Sequence, residues 1–332
     1  MFRFRFGFLS GKKEDQSAGT MSSSASLPPK LDLQRLRQEG IARSERSLQA
    51  LEHGQLPPNV IARLTDQGKG QLPWTSDLSV NEWLSLKRYK LHPLGQVMGS
   101  TYYQIGYVRT PNASGFGGYF SASRELQAPT QALYEGRKRA IARLLQEATM
   151  LGANAVVGFR MDEKGYEPKD GLIEFVCYGT AVRVEDLPKS ETPIVCSVSG
   201  QDFVRLIAAG QLPVGLALGA TVYYLQTDWY DMSQERSWYN QEMQGFTQGV
   251  YQARHLAVRK LREDMGKMKA TGVVGADFTM RVEETSRGEA TEEGEEIIDH
   301  ILEVVMMGTA VLQVEPHSSE RLTIESVFDL NS

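Results

Sequence analysis

Gly152-Ala153-Asn154-Ala155-Val156-Val157-Gly158 and, twenty residues on, Tyr178-Gly179-Thr180-Ala181-Val182 follow a helical run that begins at Gly136-Arg137 and passes through Leu144. The chain then uses the same plan again. Ala253-Arg254 through Leu261 leads into Ala270-Thr271-Gly272-Val273-Val274-Gly275, and Met307-Gly308-Thr309-Ala310-Val311 closes it. Each stretch reads as a long helix, a tight turn, a buried strand, a polar loop and a further strand. Within the first helix, Ala140, Ile141, Leu144, Leu145, Ala148 and Leu151 recur at three and four residues, so one face packs on a sheet.

The correspondence extends upstream. Ser79-Val80-Asn81-Glu82 has the form of a capping box, and Ser199-Gly200-Gln201-Asp202 holds the same place 120 residues later (199 − 79). At that shift Trp83 meets Phe203, Leu86 meets Leu206, Pro93 meets Pro213, Gly95 meets Gly215, Gly99 meets Gly219 and Thr101 meets Thr221. Coincidences of this kind at one offset, Gly and Pro among them, indicate an internal repeat. The expected fold is α+β: two tandem two-layer repeats, each a long helix packed on an antiparallel sheet, preceded by a helical N-terminal arm. The expected elements in each repeat are a short helix (79–90 and 199–209), a strand (96–109 and 216–227), the long helix (129–151 and 241–268) and two further strands.

The domain reading that follows is a flexible segment over 1–30, rich in Ser, Lys, Gly and Pro; a helical arm over 31–75, with 31–66 as a hairpin standing apart from the main body; repeats over 76–186 and 196–316; and a tail over 317–332. Residues 185–197 are expected as a linker and 283–296 as an acidic hairpin extension. A chain of 332 residues has room for two such cores.

The three blocks of the first repeat, carried by Arg137, Ala140 and Leu144, by Gly152–Gly158 and by Tyr178–Val182, resemble the YbjQ-type family, which carries a heavy-metal-binding label. The second repeat is similar to it through Arg254, Ala257, Leu261, Val273–Gly275 and Gly308–Val311, with Thr271-Gly272 in place of Asn154-Ala155 and Met307 in place of Tyr178. The resemblance implies a small α/β unit that assembles into rings, usually five-fold. It is also the sole ground for expecting a metal ion as cofactor.

Composition bounds the function. A net charge of −5 argues against a general nucleic-acid binder, so no nucleic-acid partner is expected. No run of about 18 apolar residues occurs, so no transmembrane segment is expected. Two cysteines, Cys177 and Cys196, fit a reducing cytosol and predict a cytoplasmic protein. They and five scattered histidines supply no CxxC or HxxxH spacing for a soft metal. No Ser-His-Asp or Cys-His set is present, and no catalytic residue is assigned.

The matched charges are the best candidates for a site. Glu174 and Glu303 each stand five residues before the Gly of Gly-Thr-Ala-Val, and Arg137 and Arg254 each open a long helix. They read either as one ion pair per repeat or as a charged ligand site, with Glu174 and Glu303 as metal ligands. Two partner-docking candidates accompany them. One is the alternating start Phe2-Arg3-Phe4-Arg5-Phe6, suited to a sheet edge of a protein partner or an anionic surface. The other is the aromatic pair Trp229 and Trp238, read as a contact patch or as cover for a sheet edge. The leading functional expectation is a non-enzymatic oligomeric binding or scaffold protein, with a ring of five chains as what the resemblance implies. The alternatives are heavy-metal or small-ligand binding at subunit contacts and an enzyme with an inter-subunit pocket.

Overall fold

The computed structural model describes residues 33–105, 123–165, 172–185, 192–228, 231, 238–289 and 296–314. The candidate docking residues Phe2–Phe6 and Trp229 and the tail 317–332 lie outside them. The chain divides into two units, 1–45 and 46–332. The described part of the first is the start of helix α1 (Leu33–Glu52), where Arg35 and Glu39 form an i,i+4 pair.

The rest is mixed α and β, with six helices in all and two sheets among the described residues. After α1 come α2 (Pro58–Gly68), α3 (Val80–Arg88), β1 (Leu91–Gln104), β2 (Arg124–Glu125), α4 (Gln127–Met150), β3 (Ala155–Gly165) and β4 (Leu172–Val184). Then follow β5 (Ile194–Val195), α5 (Gly200–Ala208), β6 (Gln211–Leu225), α6 (Gln244–Lys267), β7 (Gly272–Glu289) and β8 (Glu296–Gln313). The sheets run β1-β4-β3-β5 and β2-β6-β8-β7, antiparallel except for the β3–β5 pair.

The local chemistry explains the boundaries. Ser79 caps α3 with its side chain on the Glu82 N–H while Glu82 reaches back to the Ser79 N–H, the full capping box. Ser199 caps α5 on the Asp202 N–H. β1 and β6 begin five residues before the expected starts at 96 and 216. Each sheet absorbs its proline in a bulge, between Pro93 and Gly95 and between Pro213 and Gly215. A second bulge in β3, after Val157, places Gly158 at φ 64°, and its counterpart in β7 places Gly275 at φ 58°. Both positions therefore favour glycine. The threonine of each Gly-Thr-Ala-Val joins strand to helix entry: Thr180 donates to Asp77, and Thr309 accepts from the Ser197 N–H.

α4 lies on β1 and α6 on β6. The approach is close: a Cβ on Gly99 would sit 2.0 Å from the Ala140 carbonyl oxygen, and one on Gly219 would sit 2.1 Å from that of Ala257. A helix carboxylate then takes a strand N–H at the same place in each layer, Glu147 from Met98 at 3.1 Å and Asp264 from Leu218 at 3.1 Å. Leu133, Ala140, Leu144 and Ala148 of α4 join Val97, Val156, Phe175 and Cys177 in the largest core cluster. Leu86, Phe203 and Val204 bring α3 and α5 together over Ala155 and Val157.

Two expectations are corrected. Residues 58–68 do not stand apart as an arm: Leu64 is buried, Arg63 pairs with Glu147 on α4, and Gln67 donates to the Leu94 carbonyl. The segment between the repeats is not only a linker, because Ile194 and Val195 pair with β3 and bury Cys196.

Candidate functional site

The candidate site lies where the first half meets the second. In the second sheet, the outer side of β6 is covered by the segment that leads into α4. Arg124 and Glu125 pair with Tyr224 and Tyr223, and the Leu126 N–H donates to the Val222 carbonyl at 2.8 Å. One turn further, Thr130 accepts from the Val222 N–H at 2.9 Å and the Tyr134 hydroxyl accepts from the Ala220 N–H at 2.8 Å. Burial pushes the Tyr134 hydroxyl above its ordinary pKa. Lys260 of α6 closes on Glu125, which also accepts from the Thr221 hydroxyl. Exposed N–H and C=O groups on an edge strand invite pairing with another chain. Here α4 satisfies that edge from within.

Beneath this cover sits a buried ionic cluster. Arg137 is 1% exposed. Its Nη2 donates to Glu163 on β3 at 2.8 Å and to Glu303 on β8 at 3.1 Å, and its guanidinium stacks 5.5 Å from the Phe175 ring centroid. Arg281 of β7 approaches the same two carboxylates, at 3.7 Å and 3.9 Å, and donates to the Glu163 carbonyl. Burial, and the Glu163 charge beside it, hold the Glu303 carboxyl above the usual carboxylate range against the pull of Arg137 and Arg281. A cavity of about 70 Å³ opens beside the cluster, lined also by Asp277, Thr279 and Met161. Arg137 Nη1 is buried without a hydrogen-bond partner among the described residues.

This geometry rearranges the matched charges. One ion pair per repeat is not what forms: Arg137 of the first half pairs with Glu303 of the second. Glu174 instead accepts from the Tyr102 hydroxyl at 2.7 Å on the first sheet. Arg254 is exposed on α6. The structure thus brings two of the four together and leaves Glu174 and Arg254 outside that cluster. Glu163 has no like residue in the other half, its counterpart by strand register being Met280; Arg281 has Lys164, a basic match that the sequence reading did not use.

The cluster does not fit a heavy metal. Both carboxylates already accept from guanidinium groups, and no group of three or more His, Cys, Asp or Glu residues suited to a metal comes together among the described residues. Cys177 and Cys196 are buried, and desolvation pushes the Cys177 thiol up to about 12 and Cys196 higher still, far from the thiolate a soft metal requires. Trp238 is 98% exposed and covers no sheet edge.

Sequence comparison places this architecture among known proteins. The family described as "Putative heavy-metal-binding" (YbjQ) matches residues 87–185, the first half. An encapsulin nanocompartment protein of Mycobacterium tuberculosis is 32% identical over 235 residues, 69% of this chain and 86% of the relative. Proteins of the UPF0145 group match over shorter stretches. That of Methanococcus vannielii is 46% identical over 61 residues, 18% of this chain and 56% of its own length. That of Thermotoga maritima is 39% identical over 66 residues, 20% and 60% respectively, so this chain spans less than two thirds of either. No solved structure matches. On the family's own region and on the long relative that extends well beyond it, the chain belongs to the YbjQ (UPF0145) family.

Proposed function

We propose that this protein is a non-enzymatic, oligomeric binding or scaffold protein of the cytoplasm, built from two tandem copies of one module over 76–186 and 196–316. The observation that carries the reading is the junction itself: α4 of the first module seals the edge strand β6 of the second and locks it with a buried ion cluster. The same bulges, the same glycine contacts and the same helix-carboxylate bond in both halves support descent from one module. The cluster's charges hold one another, which suits a structural joint. A relative whose name is that of an encapsulin nanocompartment protein supports a role in assembly. On this reading the chains close into a ring, with five as the number the family resemblance implies.

Light scattering of the purified full-length chain at micromolar concentration tests the proposal. A mass several times 37.0 kDa is expected, and a stable 37.0 kDa monomer would contradict it.

A further inference from the structure

We infer that the second module carries its own copy of the junction face and docks with it on the β1 edge of a second copy of this chain. The inference deepens the assembly reading and rests on it. The offset that carries Arg137 onto Arg254 also carries Glu125 onto Glu242, Thr130 onto Thr247 and Tyr134 onto Tyr251. Three of the side chains that α4 and its lead-in use to seal β6, Glu125, Thr130 and Tyr134, are therefore present again at the start of α6. Among the described residues that second set has no edge to seal: Tyr251 is 64% exposed, and Glu242 and Arg254 are exposed.

The receiving surface is duplicated as well. β1 is the edge strand of its sheet, and the register that sets Val222 opposite Glu303 sets Tyr102 opposite Glu174. Tyr102 is 56% exposed where Val222 is 6%. Arg143 stands on α4 where Lys260 stands on α6; its guanidinium donates to the Ser100 carbonyl, so its charge sits at the β1 edge. On the donor module, Phe278 and Met280 replace Met161 and Glu163, and they are 45% and 40% exposed. Apolar side chains grouped on one outward face mark an interaction surface.

Docked as the internal junction is docked, Arg254 of one copy meets Glu174 of the next, Glu242 meets Arg143, and Tyr251 and Thr247 lie over Ser100 and Tyr102. The two matched residues that stand apart within a chain are thus partners between chains. The contact is head-to-tail, so it repeats from chain to chain and closes into a ring where the rotation between copies permits. Each such contact is half built from each copy, and the charge pair Arg254–Glu174 is incomplete without the second chain.

Charge exchange in the full-length protein tests this, read by native mass spectrometry and light scattering, with circular dichroism and thermal melting as controls on folding. Arg254→Glu and Glu174→Arg each set like charges face to face and should weaken assembly at least tenfold. The double variant restores opposite charges and should recover most of it. Tyr251→Ala, at an exposed site that leaves the chain's own core intact, should also weaken assembly. Single variants that assemble as the wild type does, or a double variant no better than either single, would overturn this interface while leaving the assembly reading in place. A monomeric wild-type protein would remove both.

Discussion

Arg137→Met takes the central cation out of the junction and keeps most of its length. It leaves Glu163 and Glu303 facing each other in a site where their side chains are 11% and 15% exposed. Breaking a buried charge cluster by removing one member costs about 3–5 kcal/mol. Arg281 remains 3.7 Å and 3.9 Å from the two carboxylates and is itself 37% exposed, so it offsets part of the loss and places the cost near the lower end, about 3 kcal/mol. The loss should depend on pH with a definite sign. Glu303 has a raised pKa in the folded state, so between the ordinary glutamate value and that raised value the folded chain binds more protons than the unfolded one. Its contribution to stability therefore grows as pH falls through that window and is lost as pH rises through it. Arg137 opposes the raised value; without it the window widens and protonation relieves more of the repulsion. Urea unfolding at one fixed protein concentration, at pH 7.5 and pH 5.0, should show a loss near 3 kcal/mol that shrinks at the lower pH. A loss below about 1 kcal/mol, or one that grows toward pH 5.0, would refute the claim that this cluster holds the halves together.

Three further outcomes follow from the same geometry. Gly99→Ala and Gly219→Ala each put a methyl against helix backbone, so each should destabilise by about 1–3 kcal/mol or more, to a similar extent, in thermal melts. Asn154→Ala strips the buried Val184 N–H and C=O of their shared partner and should cost about 2–4 kcal/mol by denaturant titration; a change under 0.5 kcal/mol, on the order of a surface substitution, would mean the bridge is unimportant. Cys177 and Cys196 should resist a thiol reagent at pH 8 in the folded protein and react on unfolding. Burial keeps both thiols protonated, and rapid labelling of the native chain would contradict their placement.

Much of the fold was legible because it is written in local chemistry. Ser79-x-x-Glu82 names a helix start, and the spacing of Ala140, Leu144 and Ala148 names the helix face that packs on the sheet. Pro93 and Pro213 misled because a proline tolerated at a bulge looks, in sequence, like one that ends a strand. The site was half legible. Matching Arg137 with Arg254 and Glu174 with Glu303 found two residues of the cluster, Arg137 and Glu303, but pairing depends on which sheet a helix leans toward. That choice is made by long-range packing, through Thr130 and Tyr134 on β6. Extending the Arg137–Arg254 offset upstream to Glu125, Thr130 and Tyr134 is the signal that was available. Glu163, with Met280 in its place, left none.

The most direct measurement joins two different chains, one carrying Thr247→Cys and the other Tyr102→Cys, with a short bismaleimide. Thr130 and Val222, their counterparts within the chain, are 2.9 Å apart through the hydroxyl and the backbone N–H. A covalent heterodimer, with little product from either variant alone, is the predicted result. Equal homodimer and heterodimer yields, or no product from a protein that still assembles, would contradict it.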